Sequence, residues 1–274
     1  TIHHPITMDK RIDIKHAETL SLKLLKWRWY SFLKMQIKVA RQLDPIIVVS
    51  ENTRKDVVKD FKIDPKKTRK VLHGIDHKTF EPIPSIKRKK NQLITTASAD
   101  VPLKGLIYLI RAYSDLLNDF PDLSLIVIGK LRDGPTSKEL DKKGIKDKVK
   151  FISDLTSRQI AELYAESTIA VSPSVYEGFG FPAGEAMSCG IPLISTNGGS
   201  LPEVVGESGI IVPHSNPNEL KKAIKELLLS PEKRAELGEK GRNRVLEKFT
   251  WKRAAKELVD VYREAISNAD NRSK

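Results

Sequence analysis

From about residue 45 onward, short apolar runs rich in β-branched residues alternate with longer segments of helical periodicity. No other feature narrows the possible folds as much. The apolar runs fall at residues 45–50, 93–97, 123–129, 149–152, 169–173, 192–196 and 209–212, and helical patterns between them include residues 104–118, 156–165, 182–189 and 217–229. A strand that is apolar at nearly every position is covered on both faces. Strands that take turns with helices make βα units around a parallel sheet. The predicted fold class is therefore α/β. Helix starts agree with it: Asn216-Pro217-Asn218-Glu219 supplies a cap, a first-turn proline and an early glutamate, and Ser230-Pro231-Glu232 repeats the device.

Residues 80–90, Phe-Glu-Pro-Ile-Pro-Ser-Ile-Lys-Arg-Lys-Lys, interrupt the pattern with prolines and a basic run. They read as a linker. The expected organisation is a first unit over residues 1–78, a linker over 79–90, a complete α/β domain over 91–248 and a final helix over 249–274. The chain opens at Thr1-Ile2-His3-His4-Pro5 without turn or cap, so its start reads as mid-domain and an N-terminal portion is expected to be missing. No apolar run reaches the ~18 residues of a membrane-spanning helix, and no secretory leader is visible; a cytoplasmic protein is expected. The single cysteine, Cys189, excludes an internal disulfide and a cysteine-based metal cluster, and its small-residue surroundings mark it as a buried packing residue.

The net charge of +13 admits nucleic acid, an anionic membrane or small anionic substrates as partners. The lysines are spread along the chain without a nucleic-acid-binding motif, so no nucleic acid is expected. The helical segment from Thr19 to Arg41 is distinctive. At 100° per residue Lys23, Lys26, Lys34, Lys38 and Arg41 share one face with Trp27, Tyr30 and Ile37, while Leu25, Trp29, Phe32 and Met35 are expected to pack inward. That face reads either as a solvated surface whose lysine stems cover aromatic rings or as a peripheral contact with an anionic membrane at its cytoplasmic side.

The densest chemistry lies from Val171 to Thr196, within Ser-Pro-Ser-Val-Tyr-Glu177-Gly178-Phe179-Gly180-Phe181-Pro182-Ala-Gly-Glu185-Ala-Met-Ser. A strand ends, a glycine-bracketed turn follows, and a helix begins with Pro182 in its first turn. Gly178 and Gly180 let the backbone approach a ligand closely. The amides of residues 178–181 and the helix N-terminus offer donors to an anion such as a diphosphate. Glu185, about one turn into the helix, suits the vicinal diol of a ribose. Lys104, after the strand at 93–97 and at the start of a helix, can reach a phosphate at the same end of the sheet.

This string resembles the E-x(7)-E signature of retaining glycosyltransferases of the GT-B fold, a family that includes bacterial glycogen synthases and phosphatidylinositol mannosyltransferases. Residues 46–57 are similar to the family's last βα unit of the acceptor domain. Residues 71–82 resemble its interdomain crossover, where Asn-Gly-Val-Asp is usual and this chain has His73-Gly74-Ile75-Asp76. The resemblance implies a complete C-terminal Rossmann-like donor domain, the tail end of an N-terminal acceptor-side domain, and a last helix crossing back to it. It implies that Glu177 lies close to the transferred sugar, that Gly178, Phe179, Gly180 and Phe181 hold sugar and phosphates, that Glu185 binds the donor ribose and that Lys104 neutralises the diphosphate. His3 matches a histidine facing the donor sugar, with His4 as the neighbouring alternative. No metal and no cofactor are implied, only a UDP- or GDP-type sugar as substrate and a sugar, lipid or glycan acceptor. The implied reaction is front-face displacement with retention, as in carbohydrate or cell-envelope biosynthesis.

One position departs from the pattern. Six residues before Lys104 the family usually carries an arginine, and here Ser98 stands in its place in the donor site. Either Lys104 suffices, Lys130 or Arg132 substitutes, or donor binding is weakened. The rival readings are a donor-binding module without activity, a basic nucleic-acid-binding protein, and a related GT-B enzyme such as a nucleotide-sugar epimerase.

Overall fold

The computed structural model describes residues 1–97 and 101–272. The first part carries helices α1 (Ile6–Lys15), α2 (Leu20–Trp29), α3 (Leu33–Ala40) and α4 (Glu51–Phe61), with strands β1 (Ile46–Val48) and β2 (Thr68–Lys70). β1 and β2 pair in parallel, and Ile2 bridges to Val48 on the other side of β1. Ile46, Val48, Val57, Phe61 and Ile63 form a small core under α3 and α4.

The second part is built on β3 (Gln92–Thr96), β4 (Ser124–Ile128), β5 (Val149–Ile152), β6 (Ile169–Ser172), β7 (Leu193–Thr196) and β8 (Ile210–Val212). Its helices are α5 (Leu106–Leu116), α6 (Pro135–Lys143), α7 (Ser157–Glu166), α8 (Phe181–Ser188), α9 (Leu201–Val205), α10 (Pro217–Leu229), α11 (Pro231–Lys248) and α12 (Trp251–Arg272). All strand pairs are parallel in the order β5-β4-β3-β6-β7-β8. Successive residues serve opposite faces, as the two-residue repeat of a strand requires. Leu93, Leu125 and Val127 pack with Leu109, Ile110 and Tyr113 of α5 and Ile224 of α10. Ile94, Ile126 and Ala170 pack with Tyr164 of α7 and Ala183 and Met187 of α8. The caps form where the sequence placed them: Asn216 and Ser230 accept the amides of Glu219 and Lys233.

Residues 79–90 hold no helix or strand, yet they are fastened to the second part. Arg242 donates to the carbonyls of His77 and Phe80, and Arg88 donates to the carbonyl of Gly190 at 2.9 Å. The basic run is thus partly spent on backbone oxygens. α12 lies back across the first part: Val261 packs on Ile47 and Val71, and Arg69 pairs with Glu264.

Two expectations need correction. The segment from Thr19 to Arg41 is not one helix, because a 3-10 turn over Tyr30–Phe32 separates α2 from α3. Leu25, Trp29, Phe32 and Met35 do not pack inward; Trp29 is 73% exposed and Leu25 63%. Tyr30, read as part of the basic face, is instead buried, and its hydroxyl donates to Asp13 at 2.8 Å.

Candidate active site

β3 and β6 are neighbours, but the helices that follow them, α5 and α8, cover opposite faces of the sheet. A crevice opens beyond the C-terminal ends of two such strands. On its β3 side, Ser98 lies outside the described residues. Lys104 closes a 3-10 turn, Pro102–Lys104, and does not begin the helix as the sequence reading had it. The helix starts after Gly105, whose φ of +62° and contact with the Pro173 carbonyl leave no room for a side chain. The Val175 amide donates to the Leu103 carbonyl at 2.7 Å, which ties this turn to the chain beyond β6.

On the β6 side the chain runs from Ser172 to Gly180, and Gly180, at φ +98°, caps α8. Here Glu177 meets Lys104. Glu177 Oε1 accepts from Lys104 Nζ at 2.7 Å and from Ser174 Oγ at 2.7 Å. Its carboxylate is mostly buried, while the ammonium is about one-third exposed.

The turn is anchored through its carbonyls. Ser50 Oγ and Thr53 Oγ1 donate to the Gly178 oxygen at 2.8 and 3.1 Å. The Ser200 hydroxyl donates to the oxygens of Glu177 and Phe179 at 3.0 and 2.8 Å. With the carbonyls so engaged, the amides of Gly178, Phe179, Gly180 and Phe181 donate no hydrogen bond among the described residues. Four amides without a partner and the positive end of α8 thus lie in the turn that follows Glu177, whose carboxylate holds the Lys104 ammonium. Ser50 and Thr53 belong to the start of α4, so the first part of the chain holds the turn of the second.

Glu185 sits one turn into α8, partly buried, its carboxylate without a hydrogen-bond partner among the described residues. Burial pushes its carboxyl up to about 7. Cys189 is buried, and the same desolvation pushes its thiol up to about 12, so it behaves as a packing residue.

His3 reaches the site from the first part. Its backbone lies against Gly178, where a side chain would collide with the His3 carbonyl. His3 Nδ1 is 3.0 Å from His73 Nε2, and the two rings lie nearly parallel and edge to edge, with centroids 5.1 Å apart. His4 is engaged by Asp9 and sits edge-on to Tyr176. Lys130 pairs with Asp154 at 3.0 Å on loops beyond β4 and β5, and Arg132 is exposed. Among the described residues no group of three or more His, Cys, Asp or Glu side chains is placed to hold a metal ion.

The structure therefore brings Lys104, Glu177, the 178–181 turn and His3 together, with Glu185 one helical turn behind. Sequence reasoning missed Ser174, Ser50, Thr53, Ser200 and His73. Ser50 was legible only as a helix cap; its bond to Gly178 spans 128 positions. His73 left a signal, since it replaces the asparagine usual at the crossover.

Comparison with known proteins accords with this geometry. Residues 78–244 match the family described as Glycosyl transferases group 1. The MMP alpha-(1->4)-mannosyltransferase of Mycolicibacterium hassiacum is 39% identical over 271 residues, covering 97% of this chain and 65% of its own. The D-inositol 3-phosphate glycosyltransferase of Streptomyces bingchenggensis is 29% identical over 243 residues, covering 81% of this chain and 53% of its own. This chain thus spans between about half and two thirds of the length of these curated relatives. Among solved structures, the sucrose-phosphate synthase of Thermosynechococcus elongatus shares the fold, with a TM-score of 0.77 and 23% identity over 93% of this chain and 66% of its own.

Proposed function

The chain belongs to the group 1 glycosyltransferases, and from that premise we propose that it moves a sugar from a nucleotide-diphosphate sugar to an acceptor hydroxyl with retention of anomeric configuration. One observation carries this reading. At the switch point of the sheet, Lys104 and Glu177 meet at 2.7 Å beside open backbone donors at a helix N-terminus. The diphosphate sits on the amides of residues 178–181. Lys104, with three N–H bonds to give, holds Glu177 and a phosphate oxygen together. Glu185 takes the ribose diol. Glu177 and His3 lie at the sugar.

The acceptor hydroxyl approaches the anomeric carbon on the face the diphosphate leaves. A new carbon–oxygen bond forms as the bond to phosphate breaks, and the hydroxyl proton passes to the departing phosphate oxygen. The protein's contribution is fixed positive potential where negative charge develops, from Lys104, the amides and α8. Donor specificity starts from a relative named as a mannosyltransferase, so a mannosyl donor heads the panel. The test is turnover of UDP- and GDP-sugars with the product's anomeric configuration read by NMR. Release of nucleoside diphosphate with a retained glycoside supports the proposal. Donor binding without turnover would make the chain a binding module, and an inverted product would refute retention.

We propose further that residues 20–43 contact an anionic membrane. This stretch carries six Lys or Arg residues and no Asp or Glu. Leu24, Trp27, Trp29 and Met35 are each more than half exposed. Cationic helices bearing exposed tryptophan and leucine suit the headgroup region of acidic bilayers. No described helix is long and apolar enough to cross a membrane. Flotation with vesicles of neutral lipid, with and without 30% phosphatidylglycerol, checks it. Salt-sensitive binding to the anionic vesicles alone is expected; equal binding to both, or none, refutes it.

A further inference from the structure

His73 belongs to the crossover between β2 and the linker, outside the glycine turn and outside both strands that flank the crevice. Its ring is enclosed by aromatic neighbours. It stacks on Phe181 with centroids 5.1 Å apart, meets Phe179 edge-on at 5.2 Å and faces Trp251 at 6.2 Å. Gly74, the next residue, abuts the Trp251 backbone so closely that a Cβ would come within 2.5 Å of its nitrogen. The crossover can therefore neither swing away nor rotate freely, and His73 Nε2 is held 3.0 Å from His3 Nδ1.

We propose that His73 is the positioning residue for His3: it occupies Nδ1 of His3, holds the ring edge to edge with its own, and leaves Nε2 as the nitrogen offered to the transferred sugar. This rests on the reading of His3 as a sugar-facing residue. The two ring nitrogens share one proton across a 3.0 Å contact, so one donates and the other accepts. Burial, with His3 alongside, lowers His73 to about 4 and keeps it neutral through the physiological range. The direction of the shared bond sets what His3 Nε2 offers: a donor when His73 gives the proton to Nδ1, an acceptor when His3 Nδ1 gives it to His73. Among the described residues His3 Nε2 has no other hydrogen-bond partner. A ring so held gives or accepts one hydrogen bond at the sugar without first losing rotational freedom.

Two substitutions separate positioning from packing. His73→Phe keeps the ring and the stack but removes the nitrogen. His73→Gln loses the stack and keeps an amide nitrogen near the place of Nε2. Nitrogen-15 NMR of the histidine side chains, with His3 assigned through His3→Phe, is the first readout. The His3 ring-nitrogen shifts are expected to move in His73→Phe, which removes the partner of Nδ1, and to return toward wild type in His73→Gln, whose amide can pair with Nδ1 again. The second readout is transfer. His73→Phe is expected to lower kcat about tenfold with the donor KM little changed, His73→Gln to recover most of it, and His73→Phe to add nothing in a His3→Phe background. A His3 spectrum that ignores His73→Phe, or a loss that adds independently of His3, overturns the inference. A wild-type chain that turns over no nucleotide sugar refutes the parent reading instead, and the spectra distinguish the two failures.

Discussion

Glu185 provides the sharpest quantitative prediction. In the absence of a partner its carboxyl is raised from the ordinary 4.5 to about 7 by burial. That rise corresponds to roughly 3 kcal/mol against the charged form. A ribose diol reverses the balance, because its two hydroxyls donate to the carboxylate and each charge-assisted bond is worth about 1.5–3 kcal/mol. The diol therefore selects the ionised form, and donor affinity follows the ionised fraction of the free protein. With the carboxyl near 7, that fraction falls from about 0.9 at pH 8 to about 0.1 at pH 6, a tenfold loss or about 1.4 kcal/mol.

Isothermal titration with a nucleotide sugar measures it. The sugar ester matters, since its diphosphate lacks the ionisation near pH 6 that a terminal phosphate carries. In buffers of different ionisation enthalpy, binding at pH 7 should release about half a proton. Glu185→Gln should bind several-fold more weakly at pH 8 and show no slope. The sign discriminates: a histidine gaining a proton beside a diphosphate would tighten binding as pH falls. A flat profile in the wild-type chain, or an unchanged slope in Glu185→Gln, would refute the reasoning.

Three further outcomes are expected. Glu185→Gln should also stabilise the unliganded protein at pH 8 but not at pH 4; a raised carboxyl contributes stability below about 4.5 that is lost as pH rises through 7, so the two melting curves should converge in acid. Lys104→Ala should lower kcat/KM for the donor on the order of a hundredfold, as loss of one charge-stabilising donor does elsewhere, and unchanged kinetics would remove Lys104 from the mechanism. Gly105→Ala should cost about 1–3 kcal/mol in urea unfolding, because φ +62° and the Pro173 carbonyl both exclude a Cβ; a midpoint within error of wild type would contradict the tight approach.

How much was legible in advance follows the range of the forces involved. The apolar runs at 93–97 and 169–173 lie within two residues of β3 and β6, since a buried strand declares itself by composition. The turn from Glu177 to Phe181 was legible because glycine, proline and carboxylate each serve a local backbone need. β2 was not read: Thr68-Arg69-Lys70 is polar and forms a strand only because β1 offers it a ladder. The exposure of Trp29 and Leu25 was misread because a helical wheel assumes that one face meets a core, and α2 buries none of its residues. The hold of Ser50 and Thr53 on Gly178, and of His73 on His3, joins residues at least 70 positions apart. Such contacts are consequences of the tertiary fold and leave no local signature.

Those long-range contacts give the short first part of the chain a definite role in the proposed chemistry. A glycine turn that offers four amides to a ligand is costly to order, because nothing local pins it. Here the restraint comes from outside the turn. Ser200 grips one end, Ser50 and Thr53 grip the Gly178 carbonyl, and the His3 backbone closes the remaining side. Each restraint uses a carbonyl or the absence of a side chain, so none consumes an amide. Two of the three come from residues before the crossover. The open donors are therefore preorganised by the pairing of the two parts, and the cost of ordering them is met on folding, before any substrate arrives. On the proposed reading, a site assembled in this way favours the alternative in which Lys104 suffices where the family usually has two cations. The electrostatic work falls on fixed amides and the α8 dipole, and Lys104, already oriented by Glu177 at 2.7 Å, has only to turn one of its N–H bonds toward the departing phosphate.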